Sequence, residues 1–127
     1  MSSQGHSAPA RQKFIVYAPD MSDEGAFQRR LNVRQSHLDN ATNQAKKGIV
    51  KVGGAMLTPE SIVPGVEKKM VGSIFICEAD SLETVRNLME NDVYYTSGGG
   101  ELCLFWDKEK LVVLPLALAV ANLPVIP

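Results

Sequence analysis

The chain predicts an α+β fold of the ferredoxin-like kind, β-α-β-β-α-β, on three observations. Four short runs rich in β-branched and apolar residues (13–18, 49–52, 72–77 and 111–116) have strand length and are bounded by Gly, Pro or charged residues. Two of the gaps between them, 34–47 and 81–91, carry apolar positions at helical spacing. Those two gaps separate the first run from the second and the third from the fourth, which is the split βαβ order. At 127 residues there is room for one two-layer core and no second domain.

The first strand is Lys13–Ala18, stopped by Pro19 and Asp20. Residues 21–32 are polar and mixed and read as a loop with at most one helical turn. From Arg34 to Lys47, the positions Leu38, Ala41 and Ala45 share a helix face, Lys46 and Lys47 suit the helix dipole, and Gly48 supplies the stop. The second strand, Ile49–Val52, ends at Gly53-Gly54, which leave room for a close approach to the backbone. Residues 57–70, with Pro59, Pro64 and Gly65, are a loop. The third strand is Gly72–Cys77. Asp80 and Glu83 have capping-box spacing at the start of a second helix, which buries Leu82, Val85, Leu88 and Met89 and ends near Asn91. After Gly98-Gly99-Gly100, Leu102–Trp106 and Leu111–Leu116 flank the charged turn 107–110, either as a hairpin or as a loop insertion followed by the closing strand.

Composition narrows the function classes. The net charge is −1 and only 6% of residues are aromatic, so there is no basic, base-stacking surface for nucleic acid. Cys77 and Cys103 lie in apolar runs away from any Cys/His cluster, which argues against zinc or a redox dithiol and for a reduced, cytoplasmic protein. Residues 1–12 read as a disordered leader with neither a secretory apolar run nor the basic character of a mitochondrial presequence. The domain is expected over 13–118, followed by an apolar arm at 119–127. Between Leu111 and Pro127 the only polar side chain is Asn122, but the stretch is short for a membrane span and is broken by Pro115 and Pro124. Helices on one side of a four-stranded sheet leave its other face bare, and a second copy of the chain is the usual cover, so a homodimer or higher homo-oligomer is expected.

His37 is the only histidine outside the leader, where His6 lies. It is therefore the one side chain of the domain whose ordinary pKa suits proton transfer near neutrality. Arg34 precedes it by one helical turn, either as the anchor of an anionic substrate or as a structural partner of an acidic neighbour. Asp20, at the end of the first strand, is a further candidate acid or a turn residue. Tyr17 and Tyr94 are candidate substrate contacts or packing residues. Trp106, the only tryptophan, reads as a core or dimer anchor.

Taken in order, Phe14–Asp20, Arg29–Leu38, Gly48–Met56, Gly72–Cys77, Ser81–Glu83, Asp92-Val93-Tyr94 and Trp106–Pro115 resemble the YCII-related (YciI-like) proteins of the dimeric α/β-barrel class. That class includes a dehydrochlorinase of a chlorinated hydroxyquinol and muconolactone isomerases. The resemblance implies a pocket in which His37 is the catalytic base and Asp92 orients it. The implied chemistry is cofactor-free proton abstraction on a cyclic, phenolic or enolisable substrate, followed by elimination or isomerisation. The substrate contacts it implies are Arg34, Tyr94 and Tyr17. Many members of the class have no established activity, so a non-catalytic metabolite-binding or scaffold protein of the same fold is the alternative. The chain departs from the pattern at Val93, where proline is usual, in the longer stretch 95–105, and at Leu114-Pro115-Leu116, which lacks a charge and an aromatic.

Overall fold

The computed structural model describes residues 11–22, 25–92 and 106–122. The elements are β1 (Gln12–Pro19), α1 (Ala26–Lys46), β2 (Val50–Leu57), a 3-10 turn (Pro59–Ile62), β3 (Met70–Ala79), α2 (Leu82–Glu90) and β4 (Val112–Leu116). The sheet order is β2-β3-β1-β4. All three pairings are antiparallel, so the ferredoxin-like expectation holds.

Alternation along the strands decides which face is covered. Phe14, Val16 and Ala18 of β1, Phe75, Cys77 and Ala79 of β3, and Val113 of β4 point toward the helices and are buried with Val85, Met89 and Trp106. The opposite face stays open. There Ile15 pairs with Ile76 and Leu114, and Tyr17 pairs with Ile74 and Val112.

Besides one or two extra residues at each end of β1 and β3, three departures from the sequence reading have a local physical cause. Helix α1 begins at Ala26, eight residues before Arg34, so most of the stretch read as a loop is helical. Its first turns were invisible to apolar periodicity because a buried position is filled by Arg30. Strand β2 runs through Gly53-Gly54 to Leu57, because the ladder to β3 pairs backbone groups (Gly53 with Phe75, Gly54 with Ile74) and needs no side chain. At α2 the cap is Ser81, whose Oγ accepts from Thr84 N at 3.1 Å, while Asp80 accepts from the Thr84 hydroxyl at 2.6 Å. The α1 stop stands as expected. Gly48 has φ +80° and its N–H donates to Ala45 O, while Ile49 N–H donates to Gln44 O.

No helix among the described residues is long and apolar enough to cross a membrane. Residues 1–10, Tyr94, Cys103, the 102–105 segment and the last five residues of the arm lie outside the described residues.

Candidate active site

The site is built on the sheet-facing side of α1. Arg30, Arg34 and His37 fall at i, i+4 and i+7 and therefore share one face. Arg30 and His37 reach the interior, at 2% and 6% exposure, and Arg34 stays exposed.

His37 Nδ1 lies 2.8 Å from Asp92 Oδ1 in a buried contact. The other oxygen, Asp92 Oδ2, accepts from Asn40 Nδ2 at 2.9 Å. Asn40 follows His37 by one helical turn, so α1 carries both the imidazole and a hydrogen bond that aims its carboxylate. Asp92 arrives just beyond the end of α2, where its own N–H donates to Met89 O. With the carboxylate accepting, Nδ1 carries the hydrogen and Nε2 is the nitrogen that can take up a proton. The imidazole packs edge-on to the Trp106 indole, with centroids 5.9 Å apart, and tilted to Phe75 at 6.0 Å.

Beside this pair lies a second buried one. Arg30 Nη1 donates to Asp20 Oδ1 at 2.6 Å and Nη2 donates to Ser73 Oγ at 2.9 Å. The Trp106 indole N–H donates to the same Ser73 oxygen at 3.3 Å. Asp20 is held above the usual carboxylate range because its burial outweighs the neighbouring positive charge, chiefly that of Arg30 and to a lesser degree that of His37.

A cleft of about 400 Å³ opens between α1 and β2. Its helix wall carries Arg30, Arg34, His37, Leu38, Ala41 and Ala45. Its floor is Gly53, Gly54 and Ala55, closed by Phe75 and Met70 of β3. A Cβ on Gly53 would stand 3.0 Å from Phe75 Cδ1, so the missing side chain is what lets the Phe75 ring pack directly on this backbone. Leu38, read as a core position, is 37% exposed and lines this cleft.

The structure thus brings His37, Asp92 and Arg34 to one place. Tyr17 is not among them. It is 45% exposed on the open face of the sheet, because strand alternation turns it away from Val16 and Ala18. Tyr94 falls outside the described residues. Arg30, Asn40, Ser73 and Phe75 were not anticipated. The signal for Arg30 was its i, i+4, i+7 spacing with Arg34 and His37, obscured because 21–32 read as a loop. Among the described residues no three His, Cys, Asp or Glu side chains gather where they could hold a metal ion.

The chain is 31% identical over 85 residues to the "derivative of benzaldehyde biosynthesis cluster protein C" of Emericella nidulans, covering 67% of this chain and 85% of that protein. Among solved structures it is similar to the 5-chloro-2-hydroxyhydroquinone dehydrochlorinase TftG of Burkholderia phenoliruptrix in complex with 2,5-dihydroxybenzoquinone. The TM-score is 0.62 and the identity 27%, over 83% of this chain and 93% of that one. The YCII-related domain model matches residues 13–106, a span containing both partners of the buried His37–Asp92 pair, and the chain belongs to that family.

Proposed function

We propose that this protein is a small lyase or isomerase, working without a cofactor, in which His37 and Asp92 transfer a proton on a cyclic, phenolic or enolisable substrate. The observation that carries the reading is a buried histidine, oriented by a buried carboxylate, in the wall of a cleft large enough for a single ring. The named relatives, a dehydrochlorinase of a hydroxyhydroquinone and a protein of benzaldehyde-derivative biosynthesis, support a phenolic substrate.

In this mechanism Nε2 of His37 removes a proton from a carbon or oxygen conjugated with a carbonyl. The released electron pair delocalises onto the carbonyl oxygen. The enolate then either expels a leaving group such as chloride or recovers the proton from the imidazolium at another position. Asp92 holds the ring in the orientation that presents Nε2, and Asn40 keeps the carboxylate in line. A homodimer closed over the open sheet face belongs to the same reading, supported by its exposed Tyr17, Ile74 and Leu114. So does a cytoplasmic location, which suits the buried free thiol of Cys77.

The test is chloride release from a panel of chlorinated hydroquinones. His37→Gln should slow turnover by roughly 10²–10⁴-fold, the usual worth of a general base, with thermal unfolding little changed. Turnover indifferent to His37→Gln would remove the histidine from the chemistry. Tight binding without turnover anywhere in the panel would favour the alternative of a non-catalytic metabolite-binding protein.

A further inference from the structure

We propose that Arg30 is a catalytic residue: its buried guanidinium, clamped in the cleft wall beside His37, stabilises the oxyanion that forms when the histidine takes its proton. The inference rests on the reading of His37 as the base and of the cleft as the substrate site, and it names the group that meets the negative charge.

Location is the first argument. Arg30 stands two turns before His37 on one face of α1, and both side chains line the cleft. The Arg30 side chain is only 3% exposed, whereas Arg34 between them stays in solvent. The Trp106 indole links the two buried groups. It meets the imidazole edge-on at 5.9 Å, and its N–H donates to the Ser73 oxygen that also accepts from Arg30. Asp20, the partner of Arg30, lies within the field of His37 as well, although burial outweighs both charges there.

Preorganisation is the second. Nη1 bonds Asp20 Oδ1 at 2.6 Å and Nη2 bonds Ser73 Oγ at 2.9 Å, so acceptors just beyond β1 and within β3 fix the plane of the fork. A positive charge fixed in a water-excluded wall acts on a developing oxyanion far more strongly than one in water. It also needs no reorganisation as the charge appears.

Incomplete neutralisation is the third. Asp20 meets the guanidinium through one oxygen, and its Oδ2 has no hydrogen-bond partner among the described residues. The contact is not the bidentate fork that pairs an arginine most completely. Nor does stability account for the pair, since well-packed apolar side chains of similar volume often serve a buried site as well or better.

In the step itself, Nε2 of His37 takes the proton, and the electron pair of the broken bond passes to the substrate's carbonyl oxygen. Arg30 keeps all its protons and supplies only positive charge beside that oxygen.

The experiment uses 4-nitrophenol as an oxyanion probe on the full chain, because the visible absorbance of the bound phenolate reports its ionisation. The wild type should bind the phenolate at least ~10-fold more tightly than the phenol, so the bound probe ionises at lower pH than the free one. Arg30→Met with Asp20→Asn, which removes the charge without stranding a carboxylate, should erase that preference. Asp20→Asn alone keeps an oxygen acceptor for Arg30 and removes the opposing charge, so it should strengthen the preference. A purely structural pair would not move the two variants in opposite directions. On any chlorinated hydroquinone that the wild type turns over, the double variant should lose roughly 10²–10³-fold in kcat with KM little changed. No preference for the phenolate in the wild type, or the same preference in the folded double variant, overturns the role of Arg30 and leaves the cleft and His37 standing. So does full kcat in the double variant where His37→Gln is inactive. Should the double variant fail to fold, Asp20→Asn alone decides, and an unchanged or weakened preference overturns the inference. Failure of the wild type to bind the probe in either form overturns it together with the substrate-site reading on which it rests.

Discussion

At the scale of single residues, the buried ion pair beside the histidine has the larger structural consequence. Arg30 and Asp20 are almost wholly enclosed, at 3% and 5% side-chain exposure, and each keeps the other's charge tolerable. Arg30→Met should cost about 3 kcal/mol, because it strands a buried carboxylate. Adding Asp20→Asn should recover most of the loss, since this site then holds no unpaired carboxylate; urea unfolding measures both. The pH dependence has a definite sign. Burial raises the Asp20 pKa above 3.8, and removing Arg30 raises it further. The protonated acid is therefore the form the fold favours. Its contribution is fully present below the ordinary value and is lost as pH rises through the folded one. The single variant should accordingly be weakest relative to wild type near neutral pH and closer to it in acid; a gap that widened in acid would contradict this account. Cys77 obeys the same rule by a simpler route, burial alone pushing its thiol up to about 11. In a Cys103→Ser background, Cys77 should resist disulfide reagents at neutral pH until the domain unfolds. Labelling much faster than unfolding would show that the site is open.

At the scale of elements, the helix ends are local and should be separable from the site. Gly48 closes α1 at φ +80° with only the tips of Arg11 and Lys51 near its missing Cβ, so the backbone and not crowding demands glycine. Gly48→Val should cost about 1–2 kcal/mol. Ser81→Ala should cost about 1 kcal/mol through the lost bond to Thr84 N. Both should leave binding of 2,5-dihydroxybenzoquinone unchanged, and a large change in affinity would mean that the element ends couple to the cleft. Helix α2 was legible because it is an ordinary amphipathic segment whose Val85 and Met89 are buried. Helix α1 was legible only in its second half. Its interior face holds Arg30 and His37, while Leu31 and Leu38 are substantially exposed.

At the scale of the molecule, the open sheet face sets the expected assembly. Leu114 is 54% exposed on the edge strand β4, on the face that also carries Ile15, Ile76 and Tyr17. The proposed homodimer predicts that sedimentation of the wild type gives twice the chain mass. Leu114→Lys should return it to a monomer with an intact fold, since the side chain contributes little to the monomer core. A wild type that sediments as a monomer at micromolar concentration would remove the dimer from the proposal. Leu118 at the end of the domain and Val120 in the described part of the apolar arm are also exposed.

The sequence by itself determined the order of strands and helices, the stop at Gly48 and the two residues of the buried pair. These rest on short-range signals: β-branched runs, helical spacing, a glycine that must adopt positive φ, and family motifs that hold His37 and Asp92. Only the tertiary structure decided what those residues face. It put Arg30 against Asp20 across ten residues and against Ser73 across forty-three. It turned Tyr17 to the open face, and it carried β2 through two glycines to make a floor. The reason is physical. Backbone pairing and buried ion pairs are long-range and indifferent to local periodicity, so a strand of glycines and a helix face of charges become visible only when the sheet beneath them is known.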